Sequence, residues 1–215
     1  MKTKLIKNNS DELIVFLSGW GCDEHSYKDM KSSRDVLICW DYTSLDFEFN
    51  FENYKKIYLI AYSAGVFVSG LIKDKLPKFS YKIAVNGNPK LFDNKYGISK
   101  NIVDIFKGLN LENYMDFRLN YLVRNSEELE FFNSHQPHRT FESCFCELDK
   151  LENYYADSYN VVDFDKIILS DEDKIFQLDF QKEYYKGKYK ILKNAAHDVF
   201  YVFRNFDDIL SFADM

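Results

Sequence analysis

Ile57-Tyr58-Leu59-Ile60-Ala61-Tyr62-Ser63-Ala64-Gly65-Val66-Phe67-Val68 is the most informative stretch of this chain. The apolar run Ile57 to Ile60 reads as a buried strand, and the small residues after it lead into an apolar segment able to form a helix. A serine at such a junction meets the steric demand of a nucleophile elbow. Bulky neighbours would collide in so sharp a turn, and Ala61, Ala64 and Gly65 leave room. The turn would hold the Ser63 hydroxyl at the C-terminal edge of a sheet, with a helix N-terminus behind it that favours developing negative charge. The pattern departs from G-x-S-x-G at its first position, which is Ala61 here, and isolated S-x-G triplets are common in ordinary turns.

Working outward, short apolar runs recur at Leu13 to Leu17, Val36 to Trp40, Lys82 to Val85, Lys166 to Leu169 and Tyr189 to Leu192. Runs of this length, apolar at consecutive positions, predict strands buried on both faces, as in a parallel sheet covered by helices. Polar and small residues follow these runs: Gly19-Trp20-Gly21, Asp41, Ser63, Asn86-Gly87, Asp171 to Asp173, and His197. An open α/β sheet places its site just beyond such strand ends. The expectation is therefore an α/β fold with a mostly parallel central sheet.

The connectors are uneven. Between Asp41 and Lys56 the aromatics alternate without a helical stripe, so a loop is expected in place of a flanking helix. Residues 99–159 are long, charged and helix-like at Ile102/Ile105/Phe106 and Phe141/Phe145/Leu148/Leu151. They are read as a helical lid inserted into a core made of residues 1–98 and 160–215. Asp207 to Phe212 reads as part of a closing helix.

Composition narrows the functional classes. The 215 residues suffice for one domain with a substantial core. The Lys-rich opening, Met1 to Lys7, runs into Asn8-Asn9-Ser10, which is neither a signal nor a transit peptide. No apolar run approaches bilayer-spanning length. Cys22, Cys39, Cys144 and Cys146 lack C-x-x-C spacing and paired histidines, so free thiols in a reducing cytoplasm are expected, with no zinc site and no cofactor. The net charge of −6 argues against nucleic-acid binding. Lysines 73, 75, 78, 82, 90, 95, 100 and 107 are concentrated between Leu71 and Gly108. They form either a solvated surface or a docking patch for an acidic partner.

Ser63 requires a base and an acid. His197 follows the last expected strand, whereas His25 precedes the second and His135 and His138 fall in the lid. The order serine, acid, histidine is that of the α/β-hydrolase fold. The acid is sought in Asp171-Glu172-Asp173. Asp173 is chosen because Lys174-Ile175-Phe176 can return it to the core, and Asp171 is the alternative. Its role would be to accept the histidine Nδ1 proton and stabilise imidazolium. The oxyanion donors would be the N–H groups of Ala64 and of Trp20, the latter in a glycine-flanked loop.

With these residues in view, the chain resembles the pimeloyl-acyl-carrier-protein methyl ester esterases of biotin synthesis, the BioG type. The likeness rests on F-L-S-G-W-G-C-D (Phe16 to Asp23), C-W-D-Y (Cys39 to Tyr42), A-Y-S-A-G-V (Ala61 to Val66) and A-V-N-G-N (Ala84 to Asn88). Y-G-I (Tyr96 to Ile98), F-K-G (Phe106 to Gly108), D-K-I-F (Asp173 to Phe176) and the His197 segment complete it. The resemblance implies a compact α/β-hydrolase and a serine esterase with Ser63, Asp173 and His197 as catalytic residues and Trp20 as an oxyanion donor. It implies an acyl carrier protein as partner, and a monomer is expected. Trp20, Phe141 and Phe145 are the candidate substrate-binding residues. Basic lid residues would dock the carrier, and the lid supplies Arg118, Arg124 and Arg139.

Overall fold

The computed structural model describes residues 1–110, 112–157 and 160–214. Seven strands form one sheet: β1 (Lys2–Ile6), β2 (Glu12–Leu17), β3 (Asp35–Trp40), β4 (Lys56–Tyr62), β5 (Tyr81–Val85), β6 (Lys166–Ser170) and β7 (Tyr189–Leu192). Their spatial order is β1-β3-β2-β4-β5-β6-β7. All neighbouring pairs are parallel except β1 with β3.

The six strands expected from apolar runs are present. Strand β1 was not anticipated, because Lys2-Thr3-Lys4 carries no continuous apolar signal. It sits at the sheet edge, where lysines are compatible with a half-exposed strand and discourage edge-to-edge pairing.

The alternation within β2 shows why the other runs are apolar throughout. Leu13, Val15 and Leu17 enter one core cluster with Val66, Phe67 and Val68 of α1 (Ala64–Leu71). Ile14 and Phe16 enter a second cluster with Phe206, Ile209 and Leu210 of α7 (Phe206–Asp214). Both faces are thus removed from water, and successive side chains serve opposite cores.

Helical cover is sparse. Residues between β3 and β4 form no helix, yet Tyr42, Phe47, Phe49, Phe51 and Tyr54 pack against the first core. On the other face Ala195, Val199, Phe200 and Phe203 supply loop cover beside α7. Bulky rings let loops bury area that a helix would otherwise cover.

Between β5 and β6 the chain forms α2 (Lys100–Lys107), α3 (Tyr114–Tyr121), α4 (Ser126–Ser134) and α5 (Phe141–Asp157). In α2, Ile102, Val103 and Phe106 are buried while Ile105 faces outward. Of the expected stripe Ile102 and Phe106 face inward, and Val103 takes the place of Ile105. Residues 158 and 159, the end of the expected insertion, lie outside the described residues. After β6 a further helix, α6 (Leu178–Tyr185), packs beside the sheet. Among the described residues, no helix is long and apolar enough to cross a membrane.

Candidate active site

Ser63 stands between β4 and α1 with φ 53° and ψ −122°. A positive φ at a non-glycine residue costs energy and persists only when its surroundings hold it. Here the Ser63 N–H donates to Val85 O at 2.9 Å. A Cβ on Gly65 would lie 2.3 Å from Leu17 O, and one on Gly87 would lie 2.4 Å from Ser63 O. Both glycines are thus required by close backbone approach, which wedges the turn between the ends of β2 and β5.

His197 brings the chain's distant parts together. Its Nε2 lies 3.0 Å from Ser63 Oγ and its Nδ1 lies 2.8 Å from Asp173 Oδ2. All three side chains are buried. Asp173 Oδ1 accepts the N–H groups of Ile175 and Phe176, at 2.8 and 2.9 Å, which fixes the carboxylate. With Asp173 ionised, Nδ1 carries the ring proton and Nε2 is free to accept the Ser63 proton.

Asp171 takes a different part. It accepts the Ala195 N–H at 3.3 Å and faces Lys193 at 3.8 Å. His135 is paired with Asp29, and the His25 and His138 rings meet at a tilt of 32°; among the described residues the histidine that hydrogen-bonds Ser63 is His197.

The loop after β2 lies against the elbow: a Cβ on Gly19 would approach Tyr62 Cε1 to 3.0 Å and Ser63 Cβ to 3.3 Å. Among the described residues, no hydrogen bond occupies the Trp20 or Ala64 N–H. Ala64 is the first residue of α1, where an N–H has no intrahelical acceptor. The Trp20 ring stacks on Phe106 at 5.1 Å, and its Nε1 donates to Cys144 O at 2.7 Å.

A largely apolar pocket opens over Ser63 and His197. Trp20, Ile98, Phe106, Phe117, Leu148 and Leu151 form part of its wall. Such a pocket can hold an acyl chain with an ester or thioester carbonyl beside the serine.

The model of the family described as "Pimeloyl-ACP methyl esterase BioG" matches residues 1–209. The chain belongs to the BioG family. It is 30% identical over 192 residues to an uncharacterized protein of Haemophilus influenzae, covering 86% of this chain and 87% of that one. The crystal structure of BioG from Haemophilus influenzae superposes with a TM-score of 0.86 at 25% identity, covering 97% of this chain and 99% of that one. A malonyl-[acyl-carrier protein] O-methyltransferase of Bacteroides fragilis is 29% identical over 170 residues, which are 77% of this chain but 34% of that protein. The chain thus spans about a third of that relative's length. The fold is that of the α/β-hydrolases, shared with a bromoperoxidase from Bacillus anthracis at TM-score 0.67 and 11% identity, covering 98% of this chain and 93% of that one.

Within this BioG fold, Phe141 and Phe145 are not among the residues lining the pocket. They flank a separate surface depression with Leu109, Asn110, Glu112 and Glu142. Their helix spacing signals burial but not which neighbour they face. The inner wall from the same helix is Leu148 and Leu151.

Several contributors were invisible to a linear reading. Asn86 Nδ2 donates to Ser170 Oγ at 2.8 Å and to His197 O at 2.9 Å, while its Oδ1 accepts the Ser170 N–H at 2.8 Å. Tyr62 Oη also donates to His197 O, at 3.1 Å. The histidine backbone is therefore held from the last residue of β4 and from the residue that follows β5. The V-N-G motif marked Asn86 as unusual without indicating what it held.

Glu147 on α5 is fully buried; it accepts the N–H groups of Gly21 (2.9 Å) and Tyr42 (2.8 Å) and pairs with Arg139 at 2.6 Å. Arg139 also reaches Asp41 at 3.3 Å. Burial pushes the Glu147 carboxyl up, and Arg139 and the two N–H donors pull against it. Beside His197, Asp198 lines the pocket, and burial raises its carboxyl to about 6.

Of the clustered lysines, Lys82, Lys95, Lys100 and Lys107 are engaged with Asp165, Glu183, Asp104 and Glu152. Much of that surface charge is locally neutralised.

Proposed function

We propose that this chain is a serine esterase that removes the terminal methyl group of pimeloyl-acyl-carrier-protein methyl ester, giving pimeloyl-carrier and methanol in biotin synthesis. One observation carries the reading: a hydrogen-bonded Ser63–His197–Asp173 chain stands in an apolar pocket of a BioG-family fold. In this reading His197 Nε2 takes the Ser63 proton as Oγ attacks the ester carbonyl, and Asp173 stabilises the imidazolium. The Trp20 and Ala64 N–H groups receive the oxyanion. His197 then protonates the departing methoxide, and methanol leaves. Water, deprotonated by His197, attacks the acyl-enzyme, and the proton returns to Ser63 as the pimeloyl carboxylate is released.

The substrate also carries a thioester, which is intrinsically at least as reactive. Discrimination then comes from position: α2 to α5 act as a lid, the acyl chain threads the pocket, and the docked carrier keeps the thioester away from Ser63. The Bacteroides fragilis relative lends support, since a malonyl-[acyl-carrier protein] O-methyltransferase makes a methyl ester on a carrier-linked acyl group. That is the type of ester this reading has the chain remove. The chain would work as a cytoplasmic monomer without a cofactor.

The test is methanol release from carrier-linked methyl pimelate against hydrolysis of a short-chain aryl ester. Higher kcat/KM on the carrier substrate is expected, with loss on the order of 10⁶ in Ser63→Ala. Equal or better efficiency on the aryl ester would replace this reading with a general carboxylesterase or thioesterase. Unchanged turnover in Ser63→Ala would remove the serine mechanism.

A further inference from the structure

The three arginines between β5 and β6 have different surroundings. Arg124 is paired with Glu128 and Glu172, and Arg139 with Glu147 and Asp41. Arg118, on α3, is 3% exposed and has no ion-pair partner among the described residues. Its Nη2 donates to Tyr114 Oη, while Nε and Nη1 have no hydrogen-bond partner among the described residues. The guanidinium carbon lies 3.9 Å from the centroid of the Tyr114 ring and 4.8 Å from that of Phe132. These cation–π contacts offset part of the desolvation and restrict the side chain. They do not provide the oxygen acceptors that a buried guanidinium requires.

Arg118 also borders the pocket that contains Ser63. Trp20 stacks on Phe106, and Phe106 meets Phe117 edge-on at 5.2 Å. An aromatic wall therefore leads from the loop beside Ser63 to the helix that carries Arg118. Asp198 borders the same pocket but does not pair with Arg118. A purely structural residue here would be better served by an apolar side chain of similar volume, because an uncompensated buried ion is destabilising.

We propose that Arg118 is a specificity-determining residue, its uncompensated guanidinium binding an acceptor oxygen at the end of the acyl chain remote from the ester cleaved at Ser63. This rests on the esterase reading of the pocket. The apolar wall accepts methylenes from any acyl chain, whereas Arg118 distinguishes a chain ending in a second carbonyl group from one ending in a methyl. A free carboxylate and a thioester carbonyl both present the required oxygen.

The experiment uses three carrier-free methyl esters of equal chain length: methyl heptanoate, monomethyl pimelate, and the pantetheine thioester of monomethyl pimelate. Each is measured with wild type, Arg118→Met and Arg118→Lys. Wild type should favour at least one oxygen-terminated ester by about 10- to 150-fold in kcat/KM, the range of a hydrogen bond to a charged group. Arg118→Met should lose that preference, with kcat/KM falling more on the oxygen-terminated esters than on methyl heptanoate, and be at least as stable as wild type. Arg118→Lys should retain part of the preference. Which oxygen-terminated ester gains identifies the group recognised.

The same contrast is read as binding affinity in Ser63→Ala and in Ser63→Ala/Arg118→Met, so the inference does not depend on turnover. A preference unchanged by Arg118→Met, an equal loss on all three esters, or no difference in affinity would overturn it. Refusal of the carrier-linked ester alongside an Arg118-dependent preference would reject the carrier reading and leave this inference standing.

Discussion

Replacing Glu147 should cost a large share of this molecule's stability. Glu147→Ala strips the acceptor from two buried backbone N–H groups, Gly21 and Tyr42, and leaves Arg139 with Asp41 at 3.3 Å as its remaining carboxylate among the described residues, beside its hydrogen bonds to Ser143. Each unsatisfied N–H costs about 1–3 kcal/mol, and breaking a buried ion pair from one side costs about 3–5 kcal/mol. These contributions overlap because one carboxylate serves all three donors, so the expected loss is about 4–6 kcal/mol, not their sum. That is a large part of the roughly 5–15 kcal/mol that holds a domain together. Glu147→Gln keeps the shape but turns one acceptor into a donor, so it should fall between Ala and wild type. The assay is urea unfolding followed by far-ultraviolet circular dichroism at neutral pH. Glu147→Ala/Arg139→Met should recover at least about 1 kcal/mol relative to Glu147→Ala, since the stranded cation is gone. A loss below about 1 kcal/mol in Glu147→Ala would refute the reasoning, because both loops would then be holding their conformations without the carboxylate.

The elbow offers a steric counterpart. Gly65→Ala places a Cβ 2.3 Å from Leu17 O and 2.8 Å from Ser18 O, so it should lower stability by about 3 kcal/mol or more. Gly108→Ala, whose nearest neighbour would be at 3.5 Å, should stay within about 0.5 kcal/mol when the two melting temperatures are compared side by side. Asn86→Ala removes a support of the His197 carbonyl and should lower kcat about 10- to 100-fold with little change in KM. A change confined to KM would place Asn86 outside the positioning of His197.

Asp198 gives a pH signature. Its folded value of about 6 exceeds the ordinary 3.8, so the folded state binds the proton more tightly and stability falls as pH rises from about 4 through about 6. Asp198→Asn should therefore raise the melting temperature at pH 7.5 and not at pH 4. An equal shift at both would show that the carboxyl does not titrate in that window.

The resemblance to the BioG type gained its footing from motifs that are local in the chain, and so did most of the fold. Six strands were legible because burial on both faces leaves apolar residues at consecutive positions. The elbow was legible because Ala61, Ala64 and Gly65 answer a steric demand within a few residues of Ser63. The loop between β3 and β4 was also legible, since its aromatics lack a helical period.

Tertiary structure decided the rest. Strand β1 exists because β3 offers it an edge. The histidine's partner became a single acid only when the turn after β6 aimed Asp173 at His197 and Asp171 toward Ala195 and Lys193. Phe141 and Phe145 fell outside the pocket because helical spacing fixes a shared face but not the neighbour that face meets. The same holds for charge. Arg118, Arg124 and Arg139 are one residue type in the sequence, and only packing made two of them ion-paired and left the third beside the pocket without a carboxylate partner among the described residues. Periodicity and steric allowance are properties of neighbours in sequence. Which charges meet, and which do not, is settled by groups brought together from distant parts of the chain.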